Sequence, residues 1–582
     1  MSHSARNTPN PVDKLPVLRL VRENPARSGL CHSAFVSKEK LPDAAQILYE
    51  AGYHLEDICG LDVKEGALAV YHFDHFGQPG RIALRALAPR EAPEFPSIAA
   101  IFQGAEWHER ECADFYGYVF SGNPNPMPLL LPEDMAHARP LSKAEEARAG
   151  AAALFASPEQ DVLRKDSSFM LLDPARQEVE ATSPIPQKSA DKEGAGHNRF
   201  HGDMQGDGYT MRFEKGAREN TLILNMGPQH PSTHGVLRIL LELDGEYVIR
   251  AEPVLGYLHR MHEKMGEVKS PVQYINNMGR VDYLHAMAWN WAYVGAAERL
   301  AGMEVPERAE YLRVIVMELN RIASHLVWWG AYLLDLGAFT PILYAFDDRE
   351  KILDILQEVS GSRLTYAYFR IGGVAADGNR RFFDLIREFI PWMRKRLPMY
   401  HTLVTGNVIL KGRLEGIGVL DADICNRYGA TGPVARGSGI RHDARVSEGW
   451  SIYDRFSFAI PVYGEGCCMA RYMVRLDEIE ESLKIIEQAV SSIPDGPILP
   501  QKPFRVTAKL PPGEAYCAVE GARGKIGVWM VSDGGKTLYR IKLRAPGFSN
   551  LSLFAEAAKG VLLADAVAIL GSLDLVIPEI DR

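Results

Sequence analysis

Apolar and polar positions along this chain follow several different periods, and each predicts a different kind of element. Residues 66–73 (Gly-Ala-Leu-Ala-Val-Tyr-His-Phe) and 81–87 are apolar runs of strand length, whereas residues 44–50 have helical spacing. Residues 1 to about 140 therefore read as a small α+β domain. From 141 to 218 the chain turns Ala-rich and then polar with Pro and Gly, as in Ser183-Pro184-Ile185-Pro186, which predicts a linker, partly helical at its start and otherwise irregular. From 219 a hairpin region begins. Residues 236–243 are β-prone, Asp244-Gly245 is the dipeptide of a type I′ turn, and 247–249 start a return strand. A helical body follows. Pro306 suits a helix first turn, and Leu312, Ile315, Val316, Leu319, Ile322, Ala323 and Leu326 recur at three-and-four spacing as a core stripe. A further helix is predicted over 471–493 and a β-containing part over 516–544, with no internal repeat.

Length and composition sharpen this picture. The chain has 582 residues and is 46% hydrophobic, so two or three domains with sizeable cores are expected. Its 65 basic and 74 acidic residues give a net charge of -9 without a block of like charge, which points away from nucleic acid and lipid surfaces. The first eleven residues lack the apolar core of a signal peptide. The most apolar stretch, 326–346, is interrupted by Asp335 and Pro341, so a soluble chain is expected, attached to any membrane only through partners. Seven cysteines, at 31, 59, 112, 425, 467, 468 and 517, include no CxxC pair. The vicinal 467/468 pair cannot form an unstrained bridge, and the odd count argues against a disulfide framework. A reducing cytoplasm is expected, and no ligand set for an iron–sulfur cluster is present. Gly534-Gly535-Lys536-Thr537 ends like a phosphate loop but has Met530 where the earlier glycine belongs, and Gly521-Ala-Arg-Gly524 is not a dinucleotide fingerprint.

The richest chemistry lies in Gly227-Pro228-Gln229-His230-Pro231-Ser232-Thr233-His234-Gly235, a loop with two histidines at the mouth of a strand. Pro231 stiffens it, while Gly227 and Gly235 open φ values closed to other residues. The four-residue spacing of His230 and His234 would suit a helical metal pair, but the proline between them argues against a helix and hence against zinc. A buried structural histidine remains the plain alternative. Asp335 closes the long helical run near the negative end of its dipole and among Leu333, Leu334 and Leu336. Both features disfavour a charged carboxylate unless a cation or imidazole lies close. A capping or solvent-facing Asp335 is the alternative.

From about residue 220 onward the chain closely resembles the D subunit of respiratory complex I. The resemblance rests on the 227–235 run, Gly256-Tyr-Leu-His-Arg260, Arg280-Val-Asp-Tyr283, Glu318-Leu-Asn-Arg321, Asp335-Leu-Gly-Ala338, Arg370-Ile-Gly-Gly-Val374, Ser532-Asp-Gly-Gly535, Arg544-Ala-Pro546 and Asp581-Arg582. Earlier, Trp107-His-Glu-Arg-Glu111, Asp114-Phe-Tyr-Gly117 and Leu129-Leu-Leu-Pro-Glu133-Asp134 resemble the C subunit of the same complex. Where that family carries Gly-His-Pro-Leu-Arg-Lys-Asp, this chain has Ala138-Arg139-Pro140-Leu141-Ser142-Lys143, so its docking contacts there need not follow the family. The resemblance implies a natural C/D fusion of α+β class. A small C-subunit-type domain (1–140) and a linker (141–218) precede a mainly helical domain (219–582) of the nickel–iron-hydrogenase large-subunit type, entered through a β-hairpin region.

Function and site follow from the resemblance as expectations. The D-like part would form a quinone-reduction site on the cytoplasmic side of the bacterial inner membrane. His230, Thr233, His234 and Tyr283 would contact the quinone. Tyr283 would hydrogen-bond one carbonyl and His234, oriented by Asp335, the other, each supplying a proton. No cofactor would bind this chain. Electrons would come from an iron–sulfur cluster in the partner B subunit, with Arg280, Thr365 and Arg370 nearby, and the I subunit and the H and A membrane subunits would complete the surroundings. Thr365 stands where the family carries a histidine beside that cluster, and threonine bears no charge. The cluster is therefore predicted to have a lower potential with a flatter pH dependence than in histidine-bearing relatives. Redox titration of the assembled complex at several pH values checks this, and a steep slope would refute it.

Two other functions fit the residues less well. A nickel–iron hydrogenase would need two CxxC motifs, which would fall at 282–285 and 576–579, and neither place has a cysteine. A non-catalytic scaffold would not need His234, Tyr283 and Asp335 together. The electron donor is open to this reading: NADH through a separate module, or ferredoxin in a complex lacking one.

Overall fold

The computed structural model describes residues 11–155 apart from 79 and 136, then 161–165, 213–215, 221–227 and 235–582. The loop histidines His230 and His234, together with Thr233, lie outside the described residues, as does most of the expected linker.

The N-terminal part is built on a six-stranded sheet. Its spatial order is Tyr53–Val63, Gly66–His75, Ile82–Ala88, His32–Val36, Val17–Arg22 and Asp161–Lys165. All neighbours are antiparallel except Ile82–Ala88 and His32–Val36, which run parallel. Residues 161–165, inside the span expected as linker, thus form the sheet's edge strand. Just before them, the helix Ala151–Phe155 is capped by Glu65, whose carboxylate accepts from the Ala151 N–H at 2.9 Å.

Every residue of the strand Tyr53–Val63 is buried, because both of its faces are covered. The helices Leu41–Glu50 and Ala105–Tyr116 cover one face. On the other, Cys59, Leu61, Val63, Leu68 and Val70 pack against Tyr516, Ala518, Trp529 and Val531. Those partners belong to a second, three-stranded antiparallel sheet, Gly513–Glu520, Lys525–Ser532 and Arg540–Arg544, near the far end of the chain. The two parts of the molecule therefore share one sheet-on-sheet core rather than hanging from a tether.

Buried charge reinforces that seam. The Lys525 ammonium lies 2.7 Å from Glu56, 2.5 Å from Asp74 and 2.7 Å from Glu448, and the Arg81 guanidinium pairs with Glu56 and Glu448 at 2.5 Å each. Three carboxylates this close have the spacing of a metal site, but the ammonium takes the cation's place. A second cluster holds Glu111, the last residue of the Trp107-His-Glu-Arg-Glu111 run. Glu111 pairs with Lys542 and with Arg582, both at 2.7 Å, and Glu263 pairs with Arg540 at 2.7 Å. Glu109 instead accepts from Ser97 Oγ at 2.7 Å and the Ile98 N–H at 2.9 Å, and burial pushes its carboxyl up to about 7.

The hairpin region is a four-stranded antiparallel sheet in the order Tyr247–Val254, Arg238–Asp244, Leu222–Met226 and Phe213–Lys215. The expected turn is displaced by one residue. Asp244 pairs with Tyr247, so Gly245 and Glu246 form the tight loop, and only Gly245, at φ +61°, is left-handed, the sign pattern of a type II′ turn. The register that buries Ile239, Leu241, Leu243 and Val248 outweighs the local preference of Asp-Gly.

The helical body surrounds the helix Glu307–Asp335, preceded by Pro306 and buried on every side from Tyr311 to Leu333. The predicted stripe is one part of that contact surface. The rest includes Arg313, Glu318, Asn320, Arg321 and His325, which a single-faced helix would leave in water. Thr340–Ser360, Cys468–Ser492, Ala286–Ala301 and Leu563–Ser572 pack around it. Among the described residues no helix is long and apolar enough to cross a membrane.

Candidate functional site

Tyr283 sits in a short turn between the helices Pro271–Met278 and Ala286–Ala301. The preceding residue shapes that turn. Asp282 Oδ1 accepts from the Leu284 N–H at 2.9 Å and the His285 N–H at 3.1 Å, an Asx-type cap that leaves Oδ2 for Arg523 Nη1 at 2.6 Å. The central helix holds the other end. Asn320 Nδ2 donates to the Leu284 carbonyl at 3.0 Å, and Asn320 Oδ1 accepts from the Met287 N–H at 3.1 Å. His285 accepts from the Ala522 N–H through Nδ1 at 2.8 Å, which leaves its proton on Nε2, 3.4 Å from the Met317 carbonyl. Burial, then Arg321 and Arg523, keep that ring well below the usual histidine range, so it is neutral.

With the backbone so held, the Tyr283 ring packs on a small apolar cluster of Leu284, Val327 and Val576. The phenol is half-buried. Burial first and the Asp282 carboxylate second raise its pKa, with Arg523 opposing. A raised pKa keeps the proton on oxygen at neutral pH, as a donor requires. Val576 comes from the segment just before the helix Ile577–Asp581. The turn at 282–285 and the stretch 576–579, where a hydrogenase would carry its cysteines, are thus brought together by the apolar packing of Leu284 and Val576. Glu579 lies fully buried there, bonded to the Gly547 N–H at 2.9 Å and 3.4 Å from Trp289 Nε1. Burial, and then Asp282, push its carboxyl up to about 8.

Asp335 is the last residue of the central helix and is half-buried. It lies eight residues beyond Val327, about 12 Å along the same helix at 1.5 Å per residue. The described foot of the histidine loop points to the same region: a Cβ at Gly235 would lie 3.5 Å from Ile577, next to the Val576 that touches Tyr283. Tyr283, the end of the helix bearing Asp335 and the foot of the loop therefore border one part of the molecule.

The residues expected beside a partner's cluster form a second group. A Cβ at Gly279 would lie 2.7 Å from the Tyr366 carbonyl and 3.3 Å from Thr365 C, so only glycine lets the 365–366 backbone press against the residue preceding Arg280. Asn290 Nδ2 secures that loop through the Tyr366 carbonyl at 2.6 Å. Arg280 is exposed and donates to the Asn276 carbonyl. Thr365 has φ +51°, a strained conformation for a β-branched residue. Arg370 is half-buried and folds onto its own loop, donating to Ala367 O at 2.7 Å and Phe369 O at 3.0 Å. The structure thus groups Arg280 with Thr365, while Arg370 serves the loop that carries Thr365.

Sequence reasoning missed Arg523. It sits at the tip of the hairpin joining Gly513–Glu520 to Lys525–Ser532, closed by Gly521 and Gly524 through bonds of 2.8 and 3.2 Å, and such tips are normally exposed. Here it is fully buried. The only hint was an arginine between two glycines, which carries no direction.

Comparison with known proteins places this geometry. Residues 335–508 and 502–582 match the family model described as the respiratory-chain NADH dehydrogenase 49 Kd subunit, and residues 34–150 match that of the 30 Kd subunit. The D subunit of NADH-quinone oxidoreductase from Desulfotalea psychrophila is 58% identical over 364 residues, covering 62% of this chain and 98% of that protein. The chain belongs to the family of NADH-quinone oxidoreductase D subunits. The D 2 subunit of Opitutus terrae is 58% identical over 366 residues (63% of this chain, 92% of that protein), and the D subunit of Geobacillus thermodenitrificans 50% over 365 (62% and 99%). Because these relatives cover under two thirds of the chain and a 30 Kd-subunit match precedes, this member of the D-subunit family is a fusion of both subunit types. The sheet-on-sheet seam and the Lys525 and Glu111 clusters are where the two types meet within one chain.

Proposed function

We propose that this chain, as part of a hetero-oligomeric NADH:quinone oxidoreductase, forms one wall of the quinone-reduction site in the peripheral arm, on the cytoplasmic side of the bacterial inner membrane. Tyr283 protonates one quinone oxygen and His234, oriented by Asp335, the other. Electrons arrive from the terminal iron–sulfur cluster of the partner B subunit, near Arg280 and Thr365. The observation that carries this reading is the setting of Tyr283. A phenol that keeps its proton is held by Asp282 and Asn320 against an apolar wall, beside the helix that ends in Asp335 and the foot of the histidine loop.

The chemistry fits the task. A quinone becomes a quinol by taking two electrons and two protons, and its oxygens lie at opposite ends of the ring, so two separate donors on a rigid frame serve better than one mobile acid. Just beyond Asp335, Phe339 and Leu343 are 73% and 70% exposed, an apolar surface of the kind that partner subunits cover. We assign its cover to the partners implied by the family resemblance, the B subunit and the H and A membrane subunits, with the I subunit in the neighbouring arm.

Asp335→Asn tests the imidazole–carboxylate half. Asparagine keeps the shape but not the charge that stabilises an imidazolium, so quinone reductase turnover of the assembled complex should fall about tenfold. Unchanged turnover between pH 6 and 8 would remove Asp335 from the mechanism.

A further inference from the structure

Behind the Tyr283 turn lies a buried polar region that the proposed quinone chemistry leaves unused. Arg523, which holds Asp282, also faces Asp574, with Nη2 3.4 Å from Oδ1. On the other side of Asp574 stands Arg475, its Nε 3.7 Å from Oδ2. Arg475 belongs to the helix Cys468–Ser492, and one turn further along it Glu478 accepts from His325 Nε2 of the central helix at 2.8 Å. The side chains of these residues are at most 4% exposed.

Six polar atoms of this group have no hydrogen-bond partner among the described residues: Nε and Nη2 of Arg523, Nε and Nη2 of Arg475, Oδ2 of Asp574 and Nδ1 of His325. The ion pairs between them, at 3.4 and 3.7 Å, make no hydrogen bond. Buried polar atoms left so are costly, and protein interiors fill such places with water bonded to several of them. The donors and acceptors are mixed, as a bridging water needs.

We propose that these atoms line an internal water chamber, and that the His325–Glu478 pair beside it is the proton store from which Tyr283 is re-protonated after each turnover. The proposal rests on Tyr283 being a quinone proton donor. When Tyr283 gives its proton to the reduced quinone, the phenolate regains one along the water from His325, which has taken up a solvent proton at Nδ1 during the turnover and now releases it, returning to neutral. Nε2 keeps its own proton throughout, bonded to Glu478, whose carboxylate compensates the transient imidazolium. The electrons come from the partner's cluster and none pass through the store. Glu478 suits the part: although burial works against the charge, Arg436 and then His325 hold its carboxyl down to about 2, so it stays ionised. Burial, opposed by Glu478, keeps the His325 ring neutral at rest, ready to accept a proton at Nδ1. The chamber also adjoins its target. Asp574 is two residues from Val576, which packs on Tyr283, and Arg523 holds the carboxylate next to Tyr283 in the chain.

The test is His325→Gln in the assembled complex, since glutamine can keep the bond to Glu478 but cannot carry a proton. Quinone reductase kcat should fall about tenfold with KM for quinone unchanged, and its solvent deuterium isotope effect should rise. Asp574→Asn should show the same signature, and an experimental map of the assembled complex should show ordered water within hydrogen-bond distance of His325 Nδ1 and Asp574 Oδ2. Wild-type kcat and isotope effect in His325→Gln, or in Asp574→Asn should the first variant fail to assemble, overturns the store, as does a map in which a side chain occupies the chamber. If Tyr283→Phe impairs turnover and His325→Gln does not, the store alone is wrong. If Tyr283→Phe is silent, the quinone reading itself fails.

Discussion

Replacing Tyr283 by phenylalanine should lower quinone reductase turnover of the assembled complex by about a hundredfold while leaving assembly intact. Only one oxygen is removed. The ring keeps its packing on Leu284, Val327 and Val576, and the turn keeps its bonds from Asp282 and Asn320. On the proposed function the reaction loses one of two proton donors, and a positioned general acid is worth about 10²–10⁴ in rate. A hundredfold corresponds to about 2.7 kcal/mol of transition-state stabilisation. The loss should appear in kcat, with KM nearly unchanged, if the phenol acts chiefly in the transition state. Steady-state kinetics with a soluble quinone analogue checks it. Full activity would favour the scaffold reading, in which this chain only joins neighbouring subunits.

The second large effect concerns stability. Lys525→Met should lower the stability of the chain by about 3–5 kcal/mol, the usual result of removing one partner from a buried ionic cluster. Methionine matches the volume, so the loss is electrostatic: Arg81 would be left alone against Glu56, Asp74 and Glu448. Because these groups come from both parts of the chain, the seam between the sheets should open first, and the melting midpoint should fall by roughly 2–4 °C. The same cluster predicts acid sensitivity. Although burial works against it, Arg81 and then Lys525 bring the Glu448 carboxyl down to about 2 from its ordinary 4.5. A depressed carboxylate contributes stability that is complete above its ordinary value and lost as pH falls through the folded one, so the wild-type chain should weaken between about pH 4.5 and 2. Thermal melts across that range decide the matter. A Lys525→Met chain that melts like the wild type would show that the seam rests on apolar packing alone.

Much of the fold was legible in the chain. The runs at 66–73 and 81–87 are strands, the helix predicted from 471 spans Cys468–Ser492, and the β-part expected at 516–544 is the three-stranded sheet. These succeeded because each depends on a local period that burial on one or two faces imposes. The hairpin turn was misplaced by one residue, since register is set by which face is buried and not by the two turn residues alone.

The site divides along the same line. Tyr283 and Asp335 could be named from the sequence because they lie in motifs that resemble a family, and the end of a periodic helix could be placed beforehand. Arg523, Asp574, Glu579 and His325 could not, as each draws its meaning from partners tens to hundreds of residues away. Asp282 and Arg523 are 241 positions apart, and His325 and Glu478 are 153 apart.

By itself, then, the sequence determined the order of strands and helices, the want of an 18-residue apolar run and the membership of two subunit types in one polypeptide, because these are written in composition, periodicity and contiguous motifs. Only the tertiary structure decided that the two parts share a core, that an arginine at a hairpin tip turns inward to hold the tyrosine's turn, and that a helix predicted to have one apolar face is enclosed on all sides with its charges paired. The reason is that burial of a charge is a property of the whole packed assembly: a guanidinium enters the interior only where distant carboxylates meet it, and no local pattern records that meeting.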